Sequence, residues 1–246
     1  MSTKTVDINC DVGEGVGNEA QLMPYISSCN IACGGHAGDE STMATVIALA
    51  KKHSVKIGAH PSFPDRENFG RQFMDIPPEA LLESLKRQIL ALKAQADALE
   101  VPVHHIKFHG ALYNASAKDL ALARTCISAI ENTLPKVFLY APFGSVIAEE
   151  ARKHNISIKY EAFADRRYNN DLSLVSRKKK NAVIHDKTEV LQHLENMMLH
   201  GQVKTVGNTS IDIQADTFCV HGDTKNAVEL IQYIYEELPK KGIRIA

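Results

Sequence analysis

The chain has 246 residues, 44% of them hydrophobic, and its 28 Lys or Arg against 29 Asp or Glu give a formal net charge of −1. This composition argues against wholesale disorder, and the charge balance argues against a dedicated nucleic-acid-binding or membrane-surface protein, which would normally be basic. The length fits one α/β barrel or two smaller domains.

The sequence favours a cytoplasmic protein with no membrane segment. No stretch approaches the roughly 18 uninterrupted apolar residues of a membrane-spanning helix. The first residues, MSTKTVDINCDVGEG, lack the apolar segment of a secretory signal. The five cysteines are odd in number, so we expect buried, reduced thiols rather than a disulfide framework.

Short β-rich runs alternate with longer helical patterns along the chain. The predicted strands cover residues 6–10, 28–33, 55–59, 105–108, 137–141, 156–162 and 217–220. The predicted helices cover residues 41–53, 78–99, 118–134, 145–154, 187–200 and 226–238. In the second helix, Leu81, Leu85, Ile89 and Leu92 recur at three- and four-residue steps and form one apolar face.

This alternation predicts right-handed crossovers and a mostly parallel sheet. We expect residues 1–246 to form a single α/β barrel domain of about seven strands, with a doubly wound open sheet as the alternative. The segment from Tyr168 to Asp216 has a weak pattern, so the strand count there is uncertain by one.

The first predicted strand carries Asp7, Asn9 and Asp11 at alternate positions and is followed by Glu14. A period of two places the first three on one face of the strand, where an unpaired buried carboxylate would be unfavourable. Because ligands of parallel α/β folds bind at the carboxyl ends of the strands, we expect Asp11 to be catalytic and Asn9 to bind substrate. An exposed edge strand, or a capping role for Asp11, is the structural alternative.

Four other predicted strands end in a histidine beside glycine or proline. The segments are CGGHAGD, GAHP, KFHG and HGD, which contain His36, Asp39, His60, Lys107, His109, His221 and Asp223. Neighbouring glycines let a backbone approach a ligand closely.

We therefore expect His60, Lys107 and His109 to be catalytic. Substrate binding is expected for His36, Asp39, His221 and Asp223. Asp39 could instead cap the helix that begins near Ser41. His105 and the other histidines are interpreted as helix or loop residues without a function.

A further strand ends in the segment EAFADR, in which we expect Glu161 and Arg166 to bind substrate. An arginine fixed beside a carboxylate can hold a substrate carboxylate or phosphate with two hydrogen bonds. A surface ion pair is the alternative. The basic run Arg177 to Lys180 is interpreted as a solvated loop.

Carboxylates and imidazoles at one barrel mouth suit two kinds of chemistry. They can bind a divalent metal, for which Asp11, His60 and His109 are the candidate ligands. They can also act without a metal as general acids and bases on an amide or a phosphate. The sequence lacks the GxSxG, GxxxxGK[ST] and strand-linked GxGxxG motifs, so a nucleotide would not bind through a P-loop.

Six ordered motifs resemble those of the LamB/YcsF family. They are DINCDVGEG, SSCNIACGGHAGD, GAHPSFPDRENFGR, KFHGALYN, EAFADRRY and CVHGD, and the similarity extends from about Val6 to Ile243. The resemblance implies a seven-stranded barrel similar to glycoside hydrolase and deacetylase barrels. It also implies ATP-dependent opening of the lactam of 5-oxo-L-proline to L-glutamate, with Mg²⁺-bound ATP as cosubstrate and 5-oxoprolinase subunits B and C as partners.

Within that reaction, ATP would phosphorylate the lactam carbonyl oxygen and so activate it for attack by water. Lys107 and Arg166 would neutralise negative charge, while Asp11, His60 or His109 would handle the proton and the water. Two alternatives stay open. One is a metal-dependent deacetylase or amidohydrolase on the same barrel, and the other is a non-catalytic subunit that binds 5-oxoproline.

Overall fold

The computed structural model describes residues 4–246, and within them a closed barrel of seven parallel strands forms the centre of the fold. In chain order the strands are β1 (Lys4–Val12), β2 (Ser28–Ala32), β3 (Lys56–His60), β4 (Val103–Lys107), β5 (Phe138–Pro142), β6 (Ile158–Phe163), β7 (Gln202–Lys204), β8 (Ser210–Asp212), β9 (Thr217–Cys219) and β10 (Ile243–Ile245). The barrel order is β1 to β6 and then β9, which pairs with both β6 and β1.

Closure confirms the predicted α/β barrel and its strand count, and the open-sheet alternative is wrong. All seven barrel strands coincide with predicted ones. Residues 1–3 of the predicted domain lie outside the described residues.

Helices surround the barrel on its outer side. They are α1 (Glu19–Leu22), α2 (Glu40–His53), α3 (Pro78–Ala98), α4 (Gly110–Ser116), α5 (Leu120–Glu131), α6 (Val146–Lys153), α7 (Lys187–His200) and α8 (Ala227–Glu237). The six predicted helices correspond to α2, α3 and α5 to α8. The short helices α1 and α4 were not predicted, because an apolar repeat needs more turns than they have to become visible.

The weakly patterned segment from residue 168 to 216 contains helix α7 and an antiparallel hairpin of β7 and β8 outside the barrel. Strand β10 extends the sheet from β1 on the side of its first residues, Lys4 to Val6. Helix α7 was predicted, whereas the hairpin and β10 were not, because each of the strands β7, β8 and β10 has only three residues.

Side chains on the two faces of the barrel strands differ in character. On β1, Ile8 and Cys10 alternate with Asn9 and Asp11, and all four are buried. The apolar face packs against the helices, and the polar face points into the barrel, as the period-two pattern predicted.

The five cysteines are free and buried, which confirms the predicted thiols. Across residues 4–246, none of the helices combines the length and the apolar character that crossing a membrane requires.

Candidate active site

The carboxyl ends of the barrel strands open into a cavity of about 1120 Å³. Parallel strands bring their carboxyl ends to the same side of a barrel, so residues far apart in sequence meet there. Seven of the side chains that the sequence marks as catalytic or substrate-binding line this cavity: Asp11, His60, Lys107, His109, Glu161, Arg166 and His221.

Lys107 places a fixed positive charge at the base of the cavity. Its Nζ is 2.9 Å from both Asp11 Oδ1 and Glu161 Oε1, and only 2% of the residue is exposed. Burial alone would lower the pKa of Lys107, but the two carboxylates outweigh this and the pKa is raised well above its usual value. The ammonium therefore stays charged throughout the physiological pH range.

A layer of polar side chains fills the barrel interior around this charge. Asn30 Nδ2 donates to Asp11 Oδ1 at 2.7 Å and to Asn9 Oδ1 at 2.8 Å. Asn9 Nδ2 donates to Glu161 Oε1 at 2.9 Å, and His105 Nε2 lies 2.7 Å from Asn30 Oδ1. These contacts orient both carboxylates, and Asn9 therefore supports the site from below the cavity.

The structure places His105 on a strand, in agreement with the predicted strand at residues 105–108, so its interpretation as a helix or loop residue is wrong. It lies on β4, faces the barrel interior and stacks on Tyr140 with ring centroids 3.9 Å apart. Burial lowers the pKa of His105 well below its usual value, so the ring is neutral. His105 belongs to the layer that holds the carboxylates in place.

His60 and His109 face each other at the cavity wall. His60 Nδ1 lies 2.7 Å from the carbonyl oxygen of Lys107, and His109 Nε2 lies 2.9 Å from that of Phe69. Because carbonyl oxygens only accept hydrogen bonds, these two nitrogens carry protons. The other two, His60 Nε2 and His109 Nδ1, therefore point at each other across 3.0 Å, and a cation must lie between them.

The charges around the two imidazoles favour His60 as the ring that carries the proton shared between His60 Nε2 and His109 Nδ1. Burial would lower the pKa of His60, but Asp11, whose Oδ2 is 3.5 Å away, raises it above its usual value. Burial and the neighbouring His36 and His60 lower the pKa of His109 well below its usual value. In the metal-free protein a protonated His60 therefore donates to a neutral His109, a pairing suited to moving one proton.

His36 lies behind this pair, outside the cavity lining formed by the described residues. Its ring stacks on His109 with centroids 3.6 Å apart and planes 3° apart. His36 Nε2 is 3.0 Å from Glu14 Oε1, which is also 3.4 Å from His109 Nδ1. His36 thus fixes the orientation of His109 and Glu14 rather than bordering the cavity.

His221 is held by Asp165, a fully buried carboxylate that follows β6. Asp165 Oδ1 is 2.9 Å from His221 Nδ1, and Asp165 Oδ2 accepts from Thr224 Oγ1 at 2.7 Å. Burial would raise the pKa of Asp165, but His221 and Thr224 lower it to about 2. His221 therefore presents its Nε2 side toward the cavity in a fixed orientation.

Arg166 is buried and binds the loop that follows it. It donates to the carbonyl oxygens of Val175 at 2.6 Å and Ala182 at 3.4 Å. Burial lowers the pKa of Arg166 to about 10, which leaves it charged at neutral pH. Arg166 thus lines the cavity while holding the loop that covers it.

Asp223 lies at the rim and pairs with Arg71 and with Arg177, whose Nη1 is 3.3 Å from its Oδ2. Both arginines line the cavity, whereas Asp223 is placed beyond them. The run Arg177 to Lys180 is exposed throughout, as the predicted solvated loop requires, and Arg177 in addition reaches Asp223 at the rim.

Asp39 is a further predicted site residue that lies outside the cavity lining of the described residues. Its side chain accepts a hydrogen bond from the Thr42 amide at 2.8 Å and begins helix α2. This is the capping role that the sequence also allowed.

Glu14 and Tyr113 also border the cavity, although the sequence predicted no role for either. Tyr113 lies in the first turn of α4, four residues after His109, the extended residue at which the helix begins. This closeness in sequence to His109 is the signal that could have identified Tyr113, had the short helix been predicted.

Comparison with known proteins gives consistent matches over the whole chain. The model of the LamB/YcsF family matches residues 6–246. The A subunit of 5-oxoprolinase from Staphylococcus carnosus is 42% identical over 245 residues, covering 98% of this chain and 97% of that protein. The protein of the same name from Pyrococcus furiosus is 40% identical, with 98% and 96% covered. The crystal structure of the lactam utilization protein from Thermus thermophilus has a TM-score of 0.91 at 35% identity, with 98% of both chains covered.

Proposed function

The chain belongs to the LamB/YcsF family, and from this premise we propose that it is the A subunit of an ATP-dependent 5-oxoprolinase. In this reaction the lactam of 5-oxo-L-proline is opened to L-glutamate while ATP is cleaved to ADP and phosphate. The names of its relatives, which refer to 5-oxoprolinase and to lactam utilization, support the substrate class.

The observation that carries the proposal is the juxtaposition of the buried Lys107 ammonium with the facing imidazoles of His60 and His109 in one cavity. A lactam is a stable amide, and its hydrolysis needs charge stabilisation at the carbonyl oxygen and proton transfer to the ring nitrogen. The ammonium supplies the first and the imidazole pair supplies the second.

We assign the steps as follows. Transfer of the terminal phosphoryl group of ATP to the lactam oxygen gives an activated imidate and ADP. His60 gives the shared proton to the imidate nitrogen, and the imidazole nitrogen that this frees takes a proton from the water that attacks the ring carbon. The imidazole pair returns a proton to the ring nitrogen as the carbon–nitrogen bond breaks, which gives the amine and an acyl phosphate, and the carbon-bound hydroxyl gives its proton back to the pair. A second water then hydrolyses the acyl phosphate to the carboxylate of glutamate and free phosphate. Lys107 offsets the negative charge on the oxygen.

The cavity has room for two ligands. Its volume of about 1120 Å³ exceeds the roughly 300–1,000 Å³ of a typical small-molecule site. Arg71 and Arg177 at the rim could meet the phosphates of ATP, with Mg²⁺ as their counterion. The word subunit in the relatives' names supports an assembly, and we propose 5-oxoprolinase subunits B and C as the partners.

We also propose a cytoplasmic location for the protein, because its five free thiols are typical of a reducing compartment.

A second candidate is a metal-dependent amidohydrolase or deacetylase, and the facing lone pairs of His60 Nε2 and His109 Nδ1 favour it. Both imidazoles have the backbone-anchored nitrogen that metal-ligating histidines commonly have, and carboxylate oxygens of Asp11 and Glu14 lie near them. The donor set therefore fits a divalent metal such as Zn²⁺. A bound metal would polarise a carbonyl oxygen and lower the pKa of a water ligand.

His36 does not fit the same ion together with His109. An imidazole binds a metal in the plane of its ring, and these two rings lie in parallel planes with centroids 3.6 Å apart. The ligand atoms of Glu14, His36, His60 and His109 lie within 4.8 Å of one another, which leaves Glu14, His60 and His109 as the ligands that fit one ion. The predicted ligand Asp11 is 3.5 Å from His60 but lies outside this group, so its role as a ligand stays a prediction.

Reconstitution tests the proposal and separates these candidates. The purified chain is combined with partner subunits B and C, and glutamate formation from 5-oxo-L-proline is measured with and without ATP. ATP-dependent turnover that needs this chain supports the proposed function. Turnover without ATP that tracks one bound transition metal per chain, measured by elemental analysis, supports the amidohydrolase instead. Tight binding of 5-oxo-L-proline with full turnover in the H60A and H109A variants would mark a non-catalytic binding subunit.

A further inference from the structure

Two polar atoms of residues lining the cavity, Tyr113 Oη and Glu161 Oε2, are buried without a hydrogen-bond partner in the described chain. Only 6% of Tyr113 and 2% of Glu161 is exposed. Buried polar atoms in native proteins nearly always have partners, so an exception needs an explanation. Two exceptions at one cavity point to a ligand that supplies both partners.

The two atoms have opposite hydrogen-bonding character. Glu161 Oε1 is held at 2.9 Å by both Lys107 Nζ and Asn9 Nδ2, which fixes the carboxylate and leaves Oε2 as a free acceptor. Burial, followed by the negative charge of Glu161 and the approach of its carboxylate to the Tyr113 hydroxyl, raises the pKa of Tyr113 well above its usual value. The two groups therefore lie side by side, although neither Tyr113 Oη nor Glu161 Oε2 forms a hydrogen bond of good geometry with any described residue. The Tyr113 hydroxyl therefore keeps its proton and is available as a donor.

Aromatic packing fixes the position of Tyr113. Its ring meets Phe163 edge to face with centroids 5.7 Å apart, and Phe163 in turn stacks on His221 at 5.2 Å. The Lys107 ammonium lies 5.1 Å from the centre of the Phe163 ring. The donor and the acceptor thus border a flat apolar wall that suits a small planar ring.

A cis amide presents its N–H and its C=O on the same edge, whereas the trans amide of an ordinary peptide directs them to opposite sides. A five-membered lactam is obliged to be cis. We infer that Tyr113 and Glu161 together recognise this edge, with the ring N–H donating to Glu161 Oε2 and the Tyr113 hydroxyl donating to the ring carbonyl oxygen. The inference rests on the proposed function for the identity of the lactam, 5-oxo-L-proline.

This arrangement also explains why a non-cyclic amide would be rejected. A trans amide that satisfied Tyr113 would turn its N–H away from Glu161 and leave that carboxylate oxygen buried and unpaired. Lys107 lies 2.9 Å from the other oxygen of Glu161, so the carboxylate that accepts the ring N–H is itself held in place by the fixed positive charge.

Calorimetric titration of the assembled complex tests the inference with three ligands: 5-oxo-L-proline, its N-methyl derivative and the acyclic N-acetyl-L-alanine. The wild-type protein should bind the second and third at least about tenfold more weakly than the first, since each leaves Glu161 Oε2 unpaired. Tyr113→Phe should weaken binding of 5-oxo-L-proline by a similar factor and keep the preference for the free N–H. Glu161→Gln should turn an amide NH₂ toward the cavity and remove that preference.

Tyr140→Phe is the matched control, because Tyr140 is also buried, its hydroxyl contacts Ser28 away from the cavity, and the phenyl ring keeps the stack on His105. It should bind all three ligands as the wild type does. Equal binding of 5-oxo-L-proline and its N-methyl derivative by the wild type would overturn the inference, as would unchanged affinity in Tyr113→Phe. The first of these needs no variant, so it applies even where Glu161→Gln fails to fold.

Failure of the proposed function would look different. The wild-type complex would then neither bind nor convert 5-oxo-L-proline. Titration with 2-pyrrolidone and hydantoin, two other cis amides, would show whether the cavity still recognises a cis amide. Binding of either one that is lost in Tyr113→Phe would retain the cis-amide site while rejecting the 5-oxoprolinase assignment. Absence of binding by every cis amide would overturn both.

Discussion

The ammonium of Lys107 on β4 lies 2.9 Å from Asp11 Oδ1 on β1, although these strands are not neighbours in the barrel. The contact crosses the barrel interior, and Glu161 on β6 approaches the same ammonium from a third direction. Two buried carboxylates and one ammonium therefore depend on each other for compensation. The Lys107 ammonium therefore contributes both to the stability of the fold and to the proposed chemistry.

Replacing Lys107 by Met should lower the free energy of unfolding by about 3–5 kcal/mol, because it leaves the carboxylates of Asp11 and Glu161 buried and unpaired. Turnover in the reconstituted assay should also be lost, since no other ammonium is proposed for the carbonyl oxygen. Urea unfolding followed by circular dichroism measures the first effect.

The triple variant K107M/D11N/E161Q is the control for that loss. It removes the unpaired charges together with the ammonium, so it should regain much of the stability without regaining turnover. Equal stability of the wild type and the single variant would contradict the assignment of Lys107 as the compensating charge.

Replacing His60 or His109 by Ala should reduce kcat in the reconstituted assay by about 10²–10⁴, the usual contribution of a positioned acid or base. The facing nitrogens at 3.0 Å form one unit, so the double variant should lose little more than either single variant. Far-ultraviolet circular dichroism checks that the fold is kept.

His154→Ala is the control, because His154 pairs with Glu131 at the surface and lies outside the cavity lining of residues 4–246. Its kcat should stay within about twofold of the wild type. Losses that multiply in the H60A/H109A double variant would show that the two rings act independently, against the shared-proton arrangement.

The barrel and much of the candidate site could be predicted because both leave a local signal. Alternating Asp7, Asn9 and Asp11 revealed the inward face of β1, and the histidines after β3 and β4 lie where strands must end. Residues whose partners come from distant strands gave no such signal. Asn30 looks like an ordinary polar residue in sequence, yet it bonds to Asp11 and Asn9.

Asp39 and His105 show why position alone misleads. Asp39 follows a strand end like the other candidates, but the chain turns there into α2 and uses the carboxylate as its cap. His105 has no glycine or proline beside it, and only the closed barrel brings its ring against Asn30 and Tyr140. Three-dimensional contacts, rather than neighbours in sequence, decide the role of each.

Gly58 on β3 should not tolerate a side chain, although its backbone conformation would accept one. An added Cβ would overlap the His105 ring, which cannot move because it is stacked on Tyr140 and bonded to Asn30. Gly58→Ala should therefore destabilise the protein by about 1–3 kcal/mol. In a His105→Ala background the same change should cost much less, and equal costs in the two backgrounds would contradict this explanation.

Asp165 should make the stability of the protein depend on pH in the acid range. Its pKa is about 2 in the folded protein and 3.8 for the free side chain, so its contribution is complete above pH 3.8 and is lost as the pH falls toward 2. Asp165→Asn should reduce the free energy of unfolding by about 2 kcal/mol at pH 7, and the difference from the wild type should shrink to about half of that by pH 3.

Asp171→Asn is the control for Asp165, because hydrogen bonds from Lys118 and Ser173 also hold the pKa of Asp171 below its usual value, but on the surface. Solvent screens an exposed pair, so this variant should differ little from the wild type at any pH. Urea unfolding of both variants at pH 7, 5, 4 and 3 makes the comparison. A difference for Asp165→Asn that stays constant over this range would mean that the carboxylate contributes through packing alone, and its ionised pairing with His221 would have to be abandoned.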